Sequence, residues 1–257
     1  MIDKRLTYDG TFDGFLSVIF YAFECKLNVV SIQSEHASQN ALFTETEQVI
    51  TEQSKANRVW KGLKKILSKT GSHQLYYAFL SEKEGVENVL YDYIKYAFSQ
   101  KTQVDKDYAH PSVLKIAQIA KMVGREKHRM EAFVRFRLTK DEIYFASIEP
   151  DFNVLPIISK HFERRYADQK WLIYDVKRHY GLFYDLNSVE FVAMQLPQNF
   201  DATKTNQDFF NDQEFEFQKL WQGYFKSTNI ESRKNMALHI RHVPKRYWKY
   251  LSEKQPD

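Results

Sequence analysis

Apolar positions near the start of the chain recur at helical spacing. Phe12, Phe15, Leu16, Ile19, Phe20 and Phe23 alternate steps of three and one, which predicts an amphipathic helix. Tyr8-Asp9-Gly10-Thr11 before it reads as a turn and an N-cap. Val29 to Ile32 predicts a short strand. Glu45 to Thr70 reads as helical, with Gly71 as its stop. A short helix follows around Leu75 to Leu80. Val86, Val89, Leu90, Tyr93, Ile94, Ala97 and Phe98 mark another helix. The polar run Ser99 to Tyr108 reads as a linker. Pro111 suits the first turn of a helix carrying Val113, Leu114, Ala117, Ala120 and Val123, expected to reach about His128.

The period then changes from helical to alternating. Ala132 to Leu138 and Ile143 to Ile148 predict two strands around the turn Thr139-Lys140-Asp141-Glu142. Phe133, Arg135 and Arg137 would share one strand face, with Val134 and Phe136 on the other. Val154 to Tyr166 returns to a helix. Trp171 to Asp175, Tyr180 to Asp185 and Val189 to Met194 predict three more strands. A C-terminal helix is expected around Glu214 to Lys226. The fold class is therefore α+β. A mainly helical N-terminal half precedes an antiparallel module in the order strand-strand-helix-strand-strand-strand, and a helical basic tail follows. The expected segments are 1–128, 129–197 and 198–257, packed as one compact unit.

Composition narrows the class. With 257 residues, 16% of them aromatic, and only 8 Gly and 6 Pro, the chain can build a core and is not low-complexity. No apolar run approaches the length of a membrane span, and no basic-then-apolar leader opens the chain. One cysteine, Cys25, excludes an intramolecular disulfide and an all-cysteine metal site. It reads as a small buried hydrophobe on the first helix. A cytoplasmic location is expected.

Net charge is only 37 − 33 = +4, but its distribution is uneven. Ser112 to Arg137 holds seven Lys/Arg and two Glu. Asn199 to Gln218 holds five Asp/Glu and one Lys. Lys219 to Lys249 holds eight Lys/Arg and one Glu. Basic regions of this kind are footprints for a polyanion or solvated faces, and the tail could equally dock on the acidic stretch.

Two constellations could carry chemistry. Arg125, His128 and Arg129 would share a helix face and could hold a phosphate, although Glu126 could instead pair with Arg129. Glu149 and Asp151 close the second strand and could bind a metal or act as acid and base. A simpler reading has Pro150 ending the ladder and Asp151 capping the helix near Val154. Glu126, His128, Glu149 and Asp151 are thus the candidate catalytic residues. The candidate nucleic-acid contacts are Arg125, His128, Arg129, Arg135, Arg137, Arg164, Arg165, Arg178, Lys245, Arg246 and Trp248. Guanidinium and ammonium groups neutralise phosphates, and aromatic rings stack on bases. Arg164 and Arg165 also suit a helix C-terminus with no ligand at all. No phosphate loop, dinucleotide fingerprint, nucleophile elbow or zinc-protease helix is present, and no cofactor or metal is called for.

The ordered segments Tyr8-Asp9-Gly10-Thr11-Phe12-Asp13-Gly14, Arg58-Val59-Trp60-Lys61-Gly62-Leu63, Val123-Gly124-Arg125-Glu126-Lys127-His128-Arg129-Met130, Ile148-Glu149-Pro150-Asp151, Arg164-Arg165-Tyr166-Ala167-Asp168-Gln169-Lys170-Trp171 and Pro244-Lys245-Arg246-Tyr247-Trp248 resemble a bacterial family linked with DNA metabolism and DNA repair, of otherwise unknown function. Members of that family are typically encoded beside a radical S-adenosylmethionine protein. A related domain is fused in some bacteria to a uracil-DNA glycosylase-like domain. The resemblance implies a DNA-binding accessory protein in repair or base modification, with DNA and the radical enzyme as partners. It implies no catalytic residues. The alternatives are an enzyme acting on nucleotides or DNA ends through a Glu/His/Asp site, and a protein-interaction scaffold that touches no DNA.

Overall fold

The structure, a computed structural model, describes residues 4–27, 30–35, 46–100, 102–197, 199–228 and 235–254. The chain divides into two compact units, Met1–Gly124 and Arg125–Asp257. Together they form an α+β protein with a helical N-terminal half.

The first unit has a parallel three-stranded sheet in the order β2-β1-β3. Its strands are β1 (Lys4–Tyr8), β2 (Val30–Ser34) and β3 (Thr46–Gln48). β1 was not anticipated, because only Leu6 and Tyr8 of its five residues alternate as buried apolar positions. α1 (Phe12–Glu24) starts as expected: Thr11 is its N-cap and accepts from the Gly14 N–H. Asp9 holds that cap, accepting from the Thr11 N–H and hydroxyl and from the Thr51 hydroxyl. Phe15, Leu16 and Ile19 are buried, each contributing roughly 1.5–3 kcal/mol. Cys25 is exposed, contrary to expectation, because it caps α1 beyond the apolar stripe.

The expected helix Glu45 to Thr70 is three elements. They are β3, α2 (Gln53–Ile66) and the start of α3 (Lys69–Phe79). Gly71 begins a helix instead of ending one. Its N–H donates to the Ser68 side chain, and a Cβ there would lie 2.7 Å from that of Asp105. α4 (Val86–Ser99) and the first half of α5 (Pro111–Phe133) complete this unit.

The second unit carries a five-stranded sheet in the order β4-β5-β6-β7-β8. These are β4 (Arg137–Leu138), β5 (Tyr144–Ile148), β6 (Trp171–Asp175), β7 (Tyr180–Tyr184) and β8 (Val189–Ala193). The expected strand–helix order is present, with α6 (Leu155–Arg165) between β5 and β6. The sheet is mixed and not purely antiparallel: β5 and β6 run parallel, Ala146 opposite Ile173, because α6 returns the chain across the sheet.

The expected strand over Ala132 to Leu138 is mostly absent. α5 runs on to Phe133, and the Val134 N–H still donates to the Met130 carbonyl. Met130 and Val134, four apart, are both buried, so helical burial prevails over the alternation. Phe133, Arg135 and Arg137 therefore share no strand face.

Trp171 is a core residue, stacked on Tyr184 with Phe162 and Phe136 beside it. The opposite face packs Phe145, Tyr174 and Phe210. α7 (Asp212–Thr228), α8 (Met236–His242) and two 3-10 turns, Lys245–Tyr250 and Ser252–Lys254, follow. Among the described residues no helix is long and apolar enough to cross a membrane.

Candidate functional site

Every candidate residue lies in the second unit. The 3-10 segment Lys245–Tyr250 is held by three carboxylates, those of Glu126, Glu149 and Asp151. The Glu126 side chain is 1% exposed. It accepts from the Tyr247 hydroxyl and from the Asp151 backbone N–H at 2.9 Å. Arg129 lies 3.3 Å from it and Arg246 3.7 Å. Arg246 bonds Asp151 at 2.5 Å and lies over the Tyr247 ring. Lys249 and the Tyr250 hydroxyl both bond Glu149. Lys249, then Tyr250, hold the Glu149 carboxyl below its usual range. Burial, reinforced by Glu126 and by Glu149 respectively, pushes the Tyr247 and Tyr250 hydroxyls well above theirs.

This arrangement corrects two readings of the sequence. Asp151 caps no helix: the α6 N-cap is Val154, which makes no side-chain cap bond. Among the described residues the basic tail also makes no ion pair with the acidic stretch 199–218. Its Arg246 and Lys249 pair with Asp151 and Glu149 instead, while Glu214 of that stretch accepts from the Leu138 N–H.

Beside edge strand β4 lies a cleft of about 770 Å³, within the usual size of a small-molecule site. Phe136, Tyr144, Tyr166, Phe217 and Trp221 line it, with Arg135, Arg137, Arg165, His161 and Gln218 among them. The Tyr144 and Tyr166 hydroxyls make no hydrogen bond among the described residues. Arg165 is exposed, has no ion pair there, and lies 5.8 Å over the Tyr166 ring. The other two arginines are committed. Arg135 grips Glu253 at 2.7 Å. Burial opposes ionised Glu253, yet Arg135 holds its carboxyl below the usual range. Arg137 is buried, donates to the Ala202 and Lys204 carbonyls, and stacks on Phe210. Burial lowers its pKa to about 10, so it remains charged at neutral pH.

The remaining candidates sort by exposure. Arg125 and Arg164 are exposed and unpaired among the described residues. His128 points to solvent, 3.9 Å from Glu131, and does not join the Glu126 cluster. Arg178 is a strut: it bonds buried Asp175 and the carbonyls of Pro150 and Asp151. Trp248 is half-buried and donates to the Val243 carbonyl. Arg233 and Lys234, also basic tail positions, lie outside the described residues.

The model of one protein family, described as a domain of unknown function (DUF4130), matches residues 84–253. The chain belongs to the DUF4130 family. Every candidate residue named above falls inside the DUF4130 match. No curated protein matches. Among solved structures, a pGpG-specific phosphodiesterase, PggH from Vibrio cholerae, is similar at 10% identity and a TM-score of 0.35, covering 71% of this chain and 81% of that one. A likeness that distant carries no argument about the fold or the chemistry of the DUF4130 chain.

Sequence reasoning missed the carboxylate partners of Tyr247 and Tyr250, and it missed Glu253 and Trp221. Their partners lie tens to more than a hundred positions away, and no local spacing signals such pairs.

Proposed function

We propose that this protein is a DNA-binding accessory factor in DNA repair or base modification, acting beside a radical S-adenosylmethionine enzyme. Its C-terminal unit holds single-stranded or locally unstacked DNA. The observation that carries the reading is the cleft beside β4, where stacking surfaces line one space with two tyrosine hydroxyls and Arg165 that make no hydrogen bond or ion pair among the described residues. Arg125 and Arg164, exposed and without an ion pair among the described residues, add phosphate contacts on the same unit. The resemblance to a family linked with DNA repair supplies the context.

The arrangement favours binding over acid–base chemistry at Glu126, Glu149 and Asp151. Each of these carboxylates is already bonded to a cation, a phenol or both. Among the described residues, no group of three His, Cys, Asp or Glu side chains could hold a metal.

The test is fluorescence anisotropy with labelled single-stranded and duplex oligonucleotides across a salt series. Single strands should bind more tightly, and log K should fall linearly with log salt, by about 0.7 per phosphate contact. Absence of binding near physiological salt, or salt-independent binding, would sink the reading.

A further inference from the structure

We propose that a second basin on the C-terminal unit is a phosphate site, built where the 3-10 tail crosses the ends of β5 and β6. The basin measures about 430 Å³ and is lined by Glu149, Asp151, Lys177, Lys245, Arg246 and Lys249, with Pro150 between the carboxylates. Four cations face two carboxylates, an excess of two positive charges.

The two carboxylates are already engaged. Asp151 holds Arg246 at 2.5 Å, and Glu149 holds Lys249 and Tyr250. Lys177 and Lys245 are exposed and make no ion pair among the described residues. Lys245 lies over the Trp248 ring, 6.0 Å to its centre. The excess charge therefore resides on these two ammonium groups, which a compact anion with several acceptor oxygens can neutralise.

The frame beneath them is rigid. The turn carrying Lys177 is tied by Asp175, which accepts from the Lys177 and Arg178 N–H groups. The Arg178 guanidinium joins that turn to the Pro150 and Asp151 carbonyls. Lys177 and the β5 end are thus fixed to one another before any ligand arrives, which reduces the ordering cost of binding.

The ligand is a phosphate group, and within the function proposed above it is a backbone phosphate of the strand whose bases enter the cleft. Tyr250 links the two places: its ring lines the cleft, and its hydroxyl bonds Glu149 of the basin. Chain continuity between base and phosphate then accounts for two sites lined by one tail segment.

The test uses the full chain, the variant Lys177→Ala/Lys245→Ala, and a charge-matched control, Lys61→Ala/Lys65→Ala, on exposed positions of the other unit. Pyrophosphate is titrated by calorimetry, and a labelled single strand by anisotropy across a salt series. The basin variant should lose pyrophosphate binding roughly tenfold or more and lower the salt slope by about 0.7 to 1.4. The control should match wild type. Wild-type slope and pyrophosphate affinity in the basin variant overturn the site and leave the DNA reading standing. An equal loss in the control also overturns it, since net charge alone then explains the effect. Pyrophosphate binding that depends on Lys177 and Lys245, without any DNA binding, upholds the basin for a free phosphate and refutes the DNA reading instead.

Discussion

The Tyr247 hydroxyl donates to the Glu126 carboxylate across 121 positions of sequence. Glu126 is nearly the first residue of its unit, and Tyr247 belongs to the tail segment that closes it. Replacing Tyr247 with Phe removes one donor and leaves the Asp151 N–H, Arg129 and Arg246 in place. The expected loss of unfolding free energy is about 1–2 kcal/mol. Glu126→Ala strips the partner from all four at once and should cost about 3–5 kcal/mol. Urea denaturation followed by circular dichroism checks both, and equal losses would show that Tyr247 acts alone.

Arg137 and Arg164 should separate by assay. Arg137→Met leaves the Ala202 and Lys204 carbonyls without their donor and removes the stack on Phe210. It should lower stability by about 2–4 kcal/mol. Arg164→Ala should leave the melting temperature unchanged and weaken oligonucleotide binding several-fold at low salt. Thermal melts paired with anisotropy titrations distinguish the two outcomes.

Trp221 is 41% exposed and lines the cleft. Trp221→Ala should cost about 1–3 kcal/mol of single-strand affinity, the usual worth of one stacked base. Its indole also donates to Glu253, so Trp221→Phe serves as the companion variant. The Phe variant keeps a stacking face and should recover most of the affinity. If Phe and Ala variants bind equally poorly, the hydrogen bond matters and the stacking does not.

The grip of the tail should depend on acid. Lys249 and Tyr250 hold the Glu149 carboxyl below its ordinary value of 4.5. A carboxyl depressed in the folded state contributes stability that is complete above the unfolded value. That contribution fades as pH falls from about 4.5 through the folded value. Proteolysis within Lys245–Tyr250, measured from pH 7 downwards, should accelerate over that window. Glu149→Gln should remove that part of the pH dependence, and an unchanged profile would contradict the assignment.

The strand–helix order of the second sheet was legible because each element is a separate run with its own period. The parallel pairing of β5 with β6 was not, since period two says which face a side chain takes and nothing about strand direction. The Phe133–Arg137 alternation misled for a specific reason. Three alternating residues compete with Met130 and Val134 at helical spacing, and burial of that pair decided the outcome. Thr46–Gln48 disappeared into a helix reading because it is short and carries no apolar residue. Glu126, Glu149 and Asp151 could be singled out from sequence as carboxylates in informative places. Their partners could not, because Arg246, Tyr247, Lys249 and Tyr250 arrive from the far end of the unit.

That long reach bears on synthesis. A nascent chain that has emerged only as far as β8 has its sheet strands, and Arg129 beside Glu126, but not the tail groups that bond Glu126, Glu149 and Asp151. Loop closure over about 120 residues must come last, a feature of slow, topologically distant folding. Until residues 245–250 have emerged, Glu149 and Asp151 remain hydrated and without their tail partners. A chain stalled before Pro244 would thus present an incompletely closed unit in which Glu149 and Asp151 lack the cations that pair with them in the folded protein.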